Sequence, residues 1–445
     1  MKTATKPAAK KATKTTHPQR PSARLSARLD RSLIRPPGNS ARYLAVELTA
    51  PSAPKRKGRI PVNVALVLDR SGSMAGEKIV RAREAAVQAI RSLHDEDRFS
   101  IVIYDDAIDV LVPSTKATAQ ARRQAEGAVR DIEARNTTAL CEGWLRGCEQ
   151  VADHLDAKEV GRCLLLTDGL ANVGITDPDT IVRHASELRE RHVATTTFGV
   201  GADFDEVLLR RMAEAGGGNF YFIERGEQIP DFVASELGEA LEVVARRATL
   251  SVAAEPGVRV ECLNDFPVTR ARRDVKVSLG DLVSRQELSL VVKLTFPEGE
   301  VGAEQTVRLG LADEDDALRL EAVEIVFTYA SHAKVSAQPR DRAVDRTVAA
   351  LYAARASREA LEHNRDGDFE GARRILTACQ RRIREYAGDD PEMLAIIESL
   401  EARKVVYHAP MAALDRKIRY SVAVAEVRSR LASGAARRTA VKDKV

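Results

Sequence analysis

The chain has 445 residues, too many for one ordinary core, so two or three domains are expected. Its 44% hydrophobic and 30% charged content is that of a soluble globular protein, and no apolar run is long enough to cross a bilayer. Aromatics make up 4%, with Trp144 the single tryptophan, which argues against an aromatic-lined nucleic-acid groove or a sugar cleft.

The formal charge of +4 is unevenly spread. Residues 1–42 carry eleven Lys/Arg against Asp30 alone, and residues 428–445 carry six against Asp443. Removing both ends leaves residues 43–427 at −11, an acidic body with two basic ends. Like charges mixed with Ala, Thr and Pro bury little apolar area, so 1–42 and 433–445 are expected to be disordered basic tails. The start is basic but lacks the apolar stretch of a signal peptide. Five cysteines (Cys141, Cys148, Cys163, Cys262, Cys379) are scattered and without CxxC spacing, which argues against zinc and disulfides and for a reducing, cytoplasmic setting.

Along the chain, Tyr43–Thr49 alternates like a half-buried strand, and Pro51–Gly58 reads as a linker, so 43–59 forms a strand and connection. Val62–Leu68 is almost wholly apolar, as in a parallel strand buried on both faces. Helical spacing follows over Glu77–Leu93. Strand-like runs at 98–104, 162–167 and 193–200 then alternate with helix-like runs at 118–133, 140–155, 178–191, 205–214 and 228–244. Such alternation predicts an α/β, doubly wound, mainly parallel sheet over 60–246. Between 247 and 337 the period changes to two, predicting an all-β, sandwich-like module that the strand at 43–49 would complete. Residues 338–432 read as a C-terminal helical region of two or three antiparallel helices, broken at Asn364–Asp368 and Gly388–Pro391.

The chemistry concentrates in Asp69-Arg70-Ser71-Gly72-Ser73-Met74, directly after the buried strand. In an open α/β sheet, ligands bind beyond the carboxyl ends of the strands, where this loop lies. Spacing of two brings one carboxylate and two hydroxyls around a single bend, hard oxygen donors suited to Mg2+, Mn2+ or Ca2+. A second buried strand ends in Asp168-Gly169, and the loop Arg135–Leu140 offers a further hydroxyl between the two acids. Asp-x-Ser-x-Ser alone arises by chance in roughly one chain in ten of this length. Two acids terminating buried strands about 100 residues apart, with a Thr-bearing loop between them, remove that explanation.

These residues are also where the chain resembles a known family. Val-Ala-Leu-Val-Leu-Asp-Arg-Ser-Gly-Ser-Met (64–74) resembles the opening of a von Willebrand factor type A (VWA) domain and its metal-ion-dependent adhesion site, MIDAS. Leu164–Gly169 is similar to the later strand of that site, and Phe198–Gly201 and Gly216–Tyr221 to the segments that follow. Bacterial calcium-activated-chloride-channel-like proteins and inter-alpha-trypsin-inhibitor heavy chains are similar in surrounding the domain with β structure. The resemblance implies that Ser71, Ser73 and Thr138 contact the metal through hydroxyls, with Asp69 and Asp168 acting mostly through water. The family usually shows Gly-Gly-Thr in the middle loop, where this chain has Asn136-Thr137-Thr138, so Thr137 is the alternative ligand. The resemblance further implies a protein partner presenting Asp or Glu to the metal, and a scaffold or adaptor role in a bacterial assembly or signalling complex.

An enzyme is not expected: there is no HExxH, no GxxxxGK[ST] loop and no GxSxG elbow, and the eight histidines fall in unrelated segments. The basic tails make weak, sequence-independent nucleic-acid contact the alternative function. Asp105, Asp106 and Asp109 follow the strand at 98–104 and are expected to line the rim of the site as repelling charges.

Overall fold

The computed structural model describes residues 23–53, 59–135, 137–271, 274–318 and 320–428. Residues 1–22, most of the 51–58 linker and the basic end 433–445 lie outside these, and with them the tail expectations. The first described residues correct the expectation of a tail reaching residue 42. They form β1 (Arg24–Leu29), β2 (Leu33–Ile34) and β3 (Ser40–Thr49). Leu25, Ala27 and Leu29 alternate with Arg24, Ser26 and Arg28, so one face packs on a core while the cations stay outside. The charge count hid this alternation. Arg28 also pairs with Asp341 at 2.7 Å, and buried Asp30 accepts from the Tyr43 amide at 2.8 Å.

The doubly wound unit comprises β4 (Val62–Asp69), α1 (Glu77–Ser92), β5 (Arg98–Tyr104), β6 (Ile108–Lys116), α2 (Ala119–Arg130), α3 (Leu140–Ala152), β7 (Val160–Thr167), α4 (Pro178–Glu190), β8 (Val193–Val200), α5 (Glu206–Gly216), β9 (Gly217–Ile223) and α6 (Ile229–Leu241). Its sheet order is β6-β5-β4-β7-β8-β9, parallel except for the β5–β6 hairpin. β4 is buried along its whole length, as a central strand covered on both faces must be. β6 adds a strand to those expected: its half-exposed Ile108–Lys116 lies at the sheet edge and carries Pro113, a residue tolerated there.

The chain then returns to the sandwich in β10 (Val243–Ala254), β11 (Arg259–Cys262), β12 (Val268–Ala271), β13 (Asp274–Val283), β14 (Glu287–Phe296), β15 (Glu304–Ala312) and β16 (Val323–Tyr329). One sheet runs β1-β3-β14-β11, the other β12-β13-β10-β15-β16-β2. β3 pairs with β14 over its full length, from Ser40 against Phe296 to Thr49 against Glu287. The α/β unit is therefore inserted into the sandwich between β3 and β10.

A short helix α7 (His332–Ala337) leads to four long ones: α8 (Arg342–Arg365), α9 (Phe369–Ala387), α10 (Pro391–Tyr407) and α11 (Ala413–Arg428). This exceeds the expected two or three, because beyond the two breaks capped by Asp368 and Asp390 a third, containing Pro410, separates α10 from α11. Among the described residues no helix is long and apolar enough to cross a membrane.

Leu48 in β3 is 2% exposed and belongs to the sandwich core. Leu48→Ala should destabilise the protein by about 2–5 kcal/mol, read as a lowered urea midpoint. A midpoint unchanged from wild type would mean that β3 does not complete the sandwich.

Candidate metal centre

Parallel pairing of β4 with β7 sets Leu68 against Leu166, so both strands end on one rim and deliver Asp69 and Asp168 side by side. Both acids are 0% exposed. After Asp69 the chain turns through a single 3-10 turn at Gly72–Met74, which carries Ser71 and Ser73 back over the strand end. Met74 anchors that turn by being fully buried in the core beneath it.

Thr138 comes from the loop before α3. Gly147 and Gly143 let that helix lie against the sheet: a Cβ on Gly147 would come within 2.2 Å of Val67, and one on Gly143 within 2.4 Å of Tyr104. The loop itself is tied to the strand ends by Arg135 N–H to Arg70 C=O at 2.7 Å and Ala139 N–H to Asp105 C=O at 2.7 Å. Asn172, beyond Asp168, accepts from the Thr138 amide at 3.2 Å.

The result is a convergence of oxygens. The Asp69 carboxylate accepts from the Ser71 amide at 2.8 Å and from the Thr167 hydroxyl at 2.6 Å. Ser73 Oγ donates to Asp168 Oδ1 at 2.6 Å and lies 3.1 Å from Ser71 Oγ. A methyl group placed on Gly169 would sit 3.3 Å from Thr138 Oγ1 and 3.9 Å from Ser73 Oγ, so these hydroxyls border one point. Thr138 is 4% exposed, whereas Thr137 is exposed and Asn136 lies outside the described residues. All five residues predicted from the sequence thus come together at the strand ends.

Burial raises the Asp69 carboxyl to about 6, against the pull of the Thr167 and Ser71 hydrogen bonds, and the neighbouring Asp168 charge adds to the rise. Two carboxylates and three hydroxyls are hard donors whose summed charge matches a divalent cation, so this donor set fits Mg2+, Mn2+ or Ca2+. Among the described residues no group of three His, Cys, Asp or Glu side chains able to hold a metal ion is present, and the donors here are two carboxylates with neutral hydroxyls.

Several contributors had no signal in the sequence. Lys78, on the first turn of α1, donates to Asp168 Oδ2 at 2.5 Å. Thr167 and Asn172 act through hydrogen bonds that only strand and loop neighbours reveal. The rim acids correct a second expectation. Asp105 is fully buried and pairs with Arg70 at 3.2 Å and Arg135 at 2.6 Å, while Asp109 pairs with Arg70 at 2.5 Å. Burial pushes the Asp105 carboxyl up, but the Ala107 amide and the two arginines outweigh it and hold it below the usual range. Asp105 and Asp109 are thus each paired with arginine, which offsets the repelling charge expected of them, while Asp106 of the same expectation is exposed.

Residues 63–235 match the von Willebrand factor type A domain family. The chain carries a VWA domain. Over 278 residues it is 26% identical to the uncharacterized protein YfbK of Escherichia coli K12, which covers 60% of this chain and 48% of that one. It is 29% identical over 170 residues to inter-alpha-trypsin inhibitor heavy chain H3 of Rattus norvegicus, covering 36% of this chain and 19% of that one. The chain therefore spans about half the length of YfbK and far less of the heavy chain. Among solved structures, a von Willebrand factor type A protein from Catenulispora acidiphila aligns over 93% of this chain and 98% of its own, with a TM-score of 0.71 at 18% identity. The VWA2 paralog of ArnB from Sulfolobus acidocaldarius aligns over 92% and 98%, with a TM-score of 0.62 at 18% identity. The architecture is thus shared as a whole: VWA sheet, antiparallel sheets and C-terminal helices. VWA domains are generally protein-interaction modules and often carry a divalent cation at this rim.

Because the Asp69 carboxyl is raised, the metal-free protein is destabilised as pH rises from about 4 through about 6, where the folded group is forced to ionise. Asp69→Asn should therefore be more stable than wild type in EDTA at pH 7.5, by up to about 3 kcal/mol, with the difference vanishing toward pH 4. Thermal melts at the two pH values check this, and a variant less stable at pH 7.5 would contradict it.

Proposed function

We propose that this chain binds a partner protein through a divalent cation, held by Asp69, Ser71, Ser73, Thr138 and Asp168, that accepts an Asp or Glu side chain of the partner. The observation that carries the reading is the position of Ser73 Oγ, within hydrogen-bond distance of both Ser71 Oγ and the Asp168 carboxylate. The cation would supply an electrophilic, exchangeable coordination position at the mouth of the sheet. Asp69 and Asp168 balance its charge and the three hydroxyls complete the donor set without adding a third negative charge, which leaves affinity for an external carboxylate.

Binding rather than turnover is the reading best supported by the side chains. Both carboxylates are engaged as hydrogen-bond acceptors beneath the hydroxyls, and neither is placed as a free base beside the coordination point. Neutralisation of Asp105 and Asp109 by Arg70 and Arg135 favours approach of an acidic group. The adaptor role rests on the architecture: a rim site on one domain, with a sandwich and a helical bundle offering further surfaces on the same chain. A cytoplasmic setting is part of the reading and rests on the scattered thiols alone.

A pull-down from the native cell with the tagged chain tests this directly. A partner should be retained in Mg2+ and lost in EDTA or with Asp168→Ala; equal retention in both buffers would remove the metal bridge. By calorimetry, Thr138→Ala should weaken Mg2+ binding at least tenfold more than Thr137→Ala, the loss of one ligand corresponding to about 1.4 kcal/mol or more. The reverse ranking would move the ligand to Thr137.

A further inference from the structure

Among the described residues, Lys78 is the ammonium that reaches into the oxygen cluster. Its Nζ lies 2.5 Å from Asp168 Oδ2 and 3.5 Å from the Ser73 carbonyl oxygen. The side chain is 28% exposed, so this pair is largely shielded from water. Gly201 borders its end: a Cβ there would lie 3.6 Å from Lys78 Nζ and 3.7 Å from Cε, an ordinary contact, and glycine is favoured at this position by its φ of +74°. A Cβ on Gly226 would lie 3.6 Å from Lys78 Cα, so the turn before α6 runs beside the first turn of α1. The ammonium is held at the site by its pair with Asp168 and its contact with the Ser73 carbonyl, and Gly201, just after β8, borders it.

The charge balance gives this residue a consequence of its own. Two carboxylates cancel one divalent cation. With Lys78 held against Asp168, the loaded site keeps one net positive charge, and the metal-free site keeps only one negative charge. Such a fixed cation opposes metal entry and favours arrival of a carboxylate, effects of opposite sign on the two ligands.

We propose that Lys78 is a built-in counter-ion that weakens divalent-metal binding and strengthens capture of the partner's carboxylate. The inference rests on the metal-bridge reading above. It distinguishes a specificity residue from a helix residue that merely packs beside the site, because loss of packing would weaken both steps together.

The test uses the full chain with Lys78→Met, which keeps most of the side-chain volume, and Lys78→Arg, which keeps the charge. Mn2+ affinity is measured by calorimetry, and affinity of the Mn2+-loaded protein for a capped Gly-Asp-Gly peptide is measured separately. In Lys78→Met, Mn2+ should bind on the order of tenfold tighter, as expected for removing one charge near a divalent ion at high effective permittivity, and peptide binding should weaken by a comparable factor. Lys78→Arg should stay near wild type in both. Unchanged or weaker Mn2+ binding in Lys78→Met overturns the inference, as does unchanged peptide binding. If Lys78→Met fails to fold, Lys78→Gln is read against the same two criteria. A wild-type chain that binds no Mn2+ overturns the metal-bridge reading itself, and is told apart from failure of the Lys78 inference because that failure requires wild-type binding to be intact.

Discussion

Two carboxylates, Asp69 and Asp168, are held without exposure at the ends of neighbouring strands, and like charges so placed must be balanced. The surrounding structure is arranged around that requirement. Asp69 takes an amide from Ser71 and a hydroxyl from Thr167, and its carboxyl is still pushed up to about 6 by burial. Asp168 takes Ser73 on one oxygen and Lys78 on the other. The polar groups that ring the acids are those able to donate to a carboxylate, so the rim offsets part of the cost of burying the two charges.

The insertion of the VWA domain into the sandwich decides which ends of its strands are free. Sandwich residues meet the opposite ends of the strands: Arg162, near the start of β7, pairs with Asp281 at 2.6 Å, and Arg246 donates to the Glu159 carbonyl at 3.2 Å. The helical bundle closes on the α5 and β9 edge through polar contacts that are costly to break once dry. Lys417 is 2% exposed and donates to Glu206 at 2.6 Å, Arg210 donates to Tyr420 at 2.6 Å, and Arg428 donates to the Gly218 carbonyl at 2.7 Å. The carboxyl rim keeps exposed side chains such as Ser73 and Leu170, the latter 51% exposed. The base and the β9 edge are thus committed to intramolecular contacts, and the carboxyl rim is not.

Charge on that rim is organised by arginine. Arg70 occupies the variable slot of the Asp-x-Ser-x-Ser run, and its guanidinium reaches across the end of β5 to Asp105 and Asp109, where Arg135 joins it. These pairs hold the 135–139 loop against the strand ends as well as cancelling the acids, so the same contacts that place Thr138 also set the field in front of the site.

The sequence by itself determined the parts that follow from local pattern. Period-2 and period-3.6 alternation marked the α/β unit and the β module, and buried strands ending in Asp69 and Asp168 marked the carboxyl rim, because ligands in open parallel sheets gather there. Ser71, Ser73 and the loop bearing Thr137 and Thr138 were legible because their spacing and order depend on one turn and one loop, whereas only the fold shows that Thr138 is the buried threonine of the two. Contacts between distant segments were not legible. Lys78 is an ordinary helical lysine until the fold sets α1 beside β7. The cations of 23–42 read as tail composition until β3 supplies a partner for β1, since an isolated alternating strand has no stability without a sheet to join. Asp105 and Asp109 read as repelling charges until Arg70 and Arg135 are brought against them, since net field depends on distances that sequence separation does not encode. Tertiary structure decided those three matters because each is a pairing between side chains or strands that only the packed chain places within reach.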